Sequence, residues 1–174
     1  MLVFILPGFS SKNKVWADET RVAVEPNFPV VAVDWAHWQT GQTELDWIEK
    51  EATKVVDLAD NKQINILAKS IGTAIAAQIV KQKPCLVNKL MLCGLPTRDL
   101  KPGDEKYYES LRTFPEDKFI CIQNKEDNHG NFAEAEKFLH TLNPALKIVS
   151  RPRSDHEYPY HEDFADFFKD NVIG

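Results

Sequence analysis

The stretch Ala68-Lys69-Ser70-Ile71-Gly72 sets a hydroxyl between two small residues, where the apolar run INILA gives way to a second apolar run of small residues. A serine held at such a junction can attack a carbonyl if a base lies within reach. Two later segments carry the groups that this chemistry needs. NKEDNHG (124–130) offers Glu126, Asp127 and His129, and RPRSDHEYP (151–159) offers Asp155 and His156. An imidazole can take the serine's proton, and a carboxylate can fix the imidazole's orientation and tautomer.

The small-x-Ser-x-small spacing has a steric cause. A strand that turns abruptly into a helix brings the two backbones together around the serine, so Ala68 and Gly72 must be small. The same turn lifts the hydroxyl clear of the sheet and puts the next amide, that of Ile71, at a helix N-terminus. A second reading stays open on these residues alone: Ser70 simply caps the helix, as serine does well. A phosphate loop is excluded, because Gln63 and Ala68 stand where its glycines are required. A metal site over Asp155, His156, His161 and Asp163 is disfavoured too. The histidines are five apart and do not share a helix face as the four-residue spacing of zinc helices does.

These residues need elements to hold them. Six short apolar runs, 2–6, 30–34, 64–68, 89–93, 119–123 and 146–150, are rich in β-branched or aromatic residues and suit strands buried on both faces. Between them, Leu45, Ile48, Ala52, Val55, Val56 and Ala59 keep a helical rhythm, with Thr43 as N-cap. Residues 71–82 form a helix of small residues. Phe132, Ala135, Phe138 and Leu139 make another stripe, and Phe164, Phe167, Phe168 and Val172 a last one after Pro159. Weaker helices are expected over 14–24 and 104–112. Alternation of this kind means βαβ units, an α/β fold and a parallel sheet, with ligands bound beyond the carboxyl ends of the strands.

Those ends are where the chemistry lies. PGFS (7–10) follows the first strand and leaves the Phe9 and Ser10 amides free to point at a ligand. DWAHWQTG (34–41) follows the second, its Asp34, Trp35, His37 and Trp38 packing under a loop or lining a pocket. Ser70 follows the third, GLPTRD (94–99) the fourth, Asp127 the fifth and His156 the sixth. Serine, acid, histidine is the chain order of α/β-hydrolases.

From FILPGF through AKSIGT and ICIQNKEDNHGNFAEAEKF to DHEYPYHEDFADFF, the chain resembles a small α/β-hydrolase without a cap domain, similar to the retinoblastoma-binding protein nine type. The resemblance implies one domain over 1–174 and a three-layer sandwich. Its six-stranded, mostly or wholly parallel sheet would be ordered 2-1-3-4-5-6, with helices on both faces. It implies Ser70 as nucleophile, Asp127 as acid and His156 as base, with the Phe9 and Ile71 amides as the oxyanion hole. Asp99 is the fallback acid, and Ala68 departs from the family's usual glycine. The implied activity is hydrolysis of a small carboxylic ester or thioester through an acyl-enzyme, with no metal or organic cofactor. A non-catalytic binding module on the same fold is the alternative, since fold does not fix function.

The remaining features bound the partners. A net charge of −5 with scattered basic residues disfavours nucleic acid. The apolar N-terminus MLVFILPGFS is too short to span a bilayer, so no membrane insertion is expected, and the partner that the resemblance implies is a small acyl substrate. Cys85, Cys93 and Cys121 read as buried thiols of a cytoplasmic protein. Pocket walls are expected from FSSKNKVW, WAHW and residues 96–113. Trp16, Trp35 and Trp38 suit an apolar site or the core equally. Lys69 is expected to face solvent, an anionic substrate being its alternative use.

Overall fold

The computed structural model describes residues 1–169. The strands form one sheet in the order β2-β1-β3-β4-β5-β6, every neighbouring pair parallel. They are β1 (Leu2–Leu6), β2 (Val30–Ala32), β3 (Ile64–Lys69), β4 (Val87–Cys93), β5 (Phe119–Asn124) and β6 (Ile148–Arg151). The expected sheet order and class are therefore observed. Side chains alternate across it. Phe4, Leu6, Ile66, Ala68, Leu90, Leu92 and Cys121 face one layer, while Val3, Ile5, Leu67, Met91, Cys93 and Ile122 face the other.

The first layer is made by α3 (Trp47–Leu58), α4 (Gly72–Gln82) and α5 (Phe132–Leu142), the second by α1 (Asn13–Val24) and α6 (His161–Phe168). A single turn, α2 (His37–Thr40), follows β2. In α4, every residue from Gly72 to Val80 is buried, which is why its sequence is small and apolar almost all round. Gly72 lies against the end of β1: a Cβ there would sit 2.3 Å from Leu6 O. That approach is the physical reason for a glycine two residues after Ser70.

Several local expectations are corrected. α3 begins at Trp47 after Asp46, so Thr43 does not cap it, and Leu45 is fully exposed outside the helix. Residues Asp104–Thr113 wind as a 3₁₀ helix, with Tyr108 and Leu111 buried. Cys85 is exposed, unlike Cys93 and Cys121. Val172 lies outside the described residues. Among the described residues, no helix is long and apolar enough to cross a membrane.

α5 starts on a reciprocal cap that the sequence reading missed. Asn131 Oδ1 accepts from the Glu134 amide at 2.9 Å, and Glu134 Oε2 accepts from the Asn131 amide at 3.0 Å. The cap fixes where the acid loop ends. Asn131→Ala is expected to lower stability by about 1 kcal/mol, read as a shift in the urea midpoint without a change in slope.

Candidate active site

Ser70 follows β3 directly and has φ +56°, a left-handed conformation that only a tight surrounding holds in a non-glycine residue. Its amide donates to Cys93 O at 3.0 Å, tying the turn to the end of β4. Ala68 pairs with Leu6 on one side and Leu92 on the other and is wholly buried, so the departure from glycine is accommodated. This is the strained strand-to-helix turn that the spacing predicts.

Asp127 and His156 are brought together. His156 Nδ1 lies 2.7 Å from Asp127 Oδ2. A carboxylate only accepts, so Nδ1 carries the proton and Nε2 presents a lone pair. Nε2 is buried and has no hydrogen-bond partner among the described residues. The hydrogen bond expected between it and Ser70 is therefore not formed. Both residues meet the end of β4. A Cβ on Gly94, next to the Cys93 that Ser70 bonds, would lie 3.0 Å from His156 Cε1.

Asp127 is fully buried and takes three donors. His156 Nδ1 and the Tyr158 hydroxyl both reach Oδ2, the latter at 2.6 Å, and the His129 amide reaches Oδ1 at 2.8 Å. Burial pushes this carboxyl up, but the bonds from His156, Tyr158 and the His129 amide outweigh it and hold it below the usual carboxylate range. Burial also pushes the Tyr158 hydroxyl up, so it stays a donor; it accepts from the Asn124 amide at 3.1 Å and gives its proton to Asp127. Folding thus favours the Asp127 anion. Its stabilising effect is present above the unfolded-chain value, about pH 3.9, and is lost as pH falls through the lower folded value. The urea midpoint of the protein is expected to drop as pH falls below about 4, and to drop less steeply in Asp127→Asn.

Two consecutive residues at the end of β5 hold the loops, one on each face. Gln123 accepts from the Leu95 amide at 2.8 Å and donates to Gly130 O at 2.6 Å, joining the loop after β4 to the acid loop. Asn124 Nδ2 donates to Asp155 O and Glu157 O, both at 2.8 Å, the carbonyls on either side of His156. Neither was singled out from the sequence, nor was Tyr158. A polar pair ending an otherwise apolar strand, and a tyrosine two residues past the histidine, were the signals available.

Phe9 sits across the same rim. The Trp35 indole N–H donates to Pro7 O and Gly8 O at 3.2 and 3.1 Å from beneath the loop. In a trans peptide, C=O and N–H point opposite ways, so the Phe9 N–H faces away from Trp35. His37 and Trp38 both bond Phe9 O at 2.7 Å. Neither the Phe9 nor the Ile71 amide has an acceptor among the described residues. Trp35 and His37 are buried, so this segment packs beneath the loop.

The remaining candidates separate. Asp99, the fallback acid, pairs with His129 Nδ1 at 2.6 Å and not with His156, although the two imidazole rings lie 4.3 Å apart. Glu126 is exposed, with its backbone amide on Arg153 O. Asp155 pairs with Arg153 and Asp163 with Arg151, so these carboxylates are turned to arginines. Lys69 is the largest surprise: only 2% exposed, it lies under Trp16 and pairs with Glu157. A cavity of about 450 Å³ opens beside His156, lined by residues including Ser10, Asn13, Trp16, Lys69, His129 and Glu157. Segment 10–16 supplies one wall as expected; WAHW and residues 96–113 do not line it.

No protein-family model matches the chain, and no curated protein sequence matches it. Solved structures do. Est1E from Butyrivibrio proteoclasticus superposes with a TM-score of 0.74 at 14% identity, over 97% of this chain and 87% of that one. Alpha/beta hydrolase domain-containing protein 10 from mouse gives 0.70 at 11%, over 97% and 88%. An α/β serine hydrolase without a lid from Xanthomonas campestris gives 0.63 at 16%, over 98% and 74%. At such identities the likeness is one of architecture, and it agrees with the strand order and the elbow: the chain has the α/β-hydrolase fold.

Proposed function

We propose that the chain is a serine hydrolase that cleaves a small carboxylic ester or thioester. Ser70 is the nucleophile, His156 the base and Asp127 the residue that orients it. The reading places the chain among small α/β-hydrolases without a cap domain, similar to the retinoblastoma-binding protein nine type. Its three unpaired cysteines favour the cytoplasm. The observation that carries the activity is the pairing of buried Asp127 with His156, whose Nε2 is unpartnered and whose ring meets the same strand end as the strained Ser70 turn.

In the first half-reaction, His156 Nε2 takes the Ser70 proton as Oγ attacks the acyl carbon. The negative charge on the carbonyl oxygen is met by the Phe9 and Ile71 amides; losing one such donor costs about 3 kcal/mol of barrier. Protonated His156 then gives its proton to the departing alkoxide or thiolate. Water, deprotonated by the same nitrogen, releases the acid and restores Ser70. The open Ser70–His156 contact fits a resting site, since catalytic hydrogen bonds commonly tighten only with substrate bound.

A fluorophosphonate probe is expected to label the wild-type protein, and Ser70→Ala to abolish the label, as read by intact mass. Absence of label on folded wild-type protein, or a labelled Ser70→Ala, would favour a binding module on the same scaffold.

A further inference from the structure

Lys69 is the last residue of β3 and precedes Ser70, but alternation sends its side chain to the α1 side of the sheet, with Cys93 and Trp16. Lysine is seldom buried unless paired. Here an ammonium with three protons to donate has one acceptor among the described residues, Glu157 Oε2 at 3.4 Å. The partners are unequal. Lys69 is 2% exposed, whereas the Glu157 side chain is 66% exposed and can turn to water. The Trp16 ring, 5.5 Å from Nζ, covers the cation on another side. Both charges line the cavity that opens beside His156.

We propose that Lys69 is a substrate-recognition residue that binds a carboxylate on the acyl part of the substrate, with Glu157 occupying its place in the resting protein. The assignment deepens the hydrolase reading and rests on it. Glu157 shows the chemistry that fits: a single carboxylate, approaching from the cavity. A phosphate would bring about twice that charge against one buried ammonium, in a cavity that Glu19 and Glu157 also line. A neutral acyl chain would leave the lysine's remaining protons unmet. The preferred substrate is therefore the mono-ester or mono-thioester of a dicarboxylic acid, hydrolysed at its uncharged end.

Two esters of equal acyl length separate the possibilities, mono-p-nitrophenyl adipate and p-nitrophenyl hexanoate. Wild-type protein is expected to favour the adipate by about tenfold or more in kcat/KM, the scale of one charge-assisted contact. Lys69→Met is expected to bring that ratio close to one, whatever its overall rate. Glu157→Gln, a surface change that should not impair folding, is expected to lower KM for the adipate by removing its internal competitor. Fluorophosphonate labelling of Ser70 is followed in parallel. A labelled wild-type protein that does not distinguish the esters, or a Glu157→Gln variant with unchanged KM for the adipate, overturns the proposal for Lys69 alone. Loss of labelling together with loss of turnover on both esters overturns the hydrolase reading beneath it.

Discussion

Asp127→Asn is expected to lower kcat for ester hydrolysis about 10⁴-fold, the scale of a base held in the wrong tautomer. The hydrogen bonds around this side chain give the reason. Oδ2 accepts from His156 and Tyr158, and Oδ1 accepts from the His129 amide. Asparagine has one acceptor and one donor, so it cannot satisfy both sides. If its oxygen keeps the His156 side, its amide group meets the His129 N–H, donor against donor. If it flips, the amide group meets His156 Nδ1, which must then give up its proton. The imidazole proton moves to Nε2, and the lone pair that would activate Ser70 disappears. Tyr158 also loses its acceptor in the flipped state, which adds a stability cost of about 1–3 kcal/mol. Stopped assays on a p-nitrophenyl ester would measure the rate, and urea denaturation the stability. A variant within tenfold of wild type would remove Asp127 from the mechanism.

Gly72→Ala is expected to cost about 3 kcal/mol, at the upper end for an overpacked site, despite the better helix propensity of alanine. The new Cβ would meet Leu6 O at 2.3 Å and Pro7 O at 2.8 Å. These are backbone atoms of the strand end and cannot rotate aside. α4 is buried along almost its whole length, so shifting it to relieve the contact opens the central layer. For a chain of 174 residues, the loss corresponds to about 6–12 °C in Tm. Ser70 and Ile71 lie between that contact and β3, so fluorophosphonate labelling should slow as well. An unchanged melting curve would mean that the strand end yields to the methyl group.

The sheet was legible because its four central strands are largely buried on both faces and read as unbroken apolar runs, from LVFIL to FICIQ. The elbow was legible because its size constraint is local. The start of α3 was not. Leu45 continues the helical rhythm on paper, but nothing in the rhythm says whether packing reaches that far, and the helix begins only at Trp47. The 3₁₀ winding of Asp104–Thr113 was hidden for a related reason, since apolar spacing does not distinguish the two hydrogen-bond ladders. Lys69 was misjudged because its charge outweighed its register. Counting from the buried Leu67, two residues back on the same face, puts it inward. Asp99 and Asp127 were each compatible with chain order; only the folded loops pair one with His129 and the other with His156.

Trp35 links the rim to the margin of the sheet. Its indole grips the loop after β1, yet it hangs from β2, an edge strand three residues long and only half buried. Edge segments of this kind open at lower free energy than the interior strands. Each such excursion would release the Phe9 amide from its aim while β3, β4 and β5 stay intact. Heating should accordingly silence the protein before it melts, with deuterium entering residues 30–35 ahead of the interior strands.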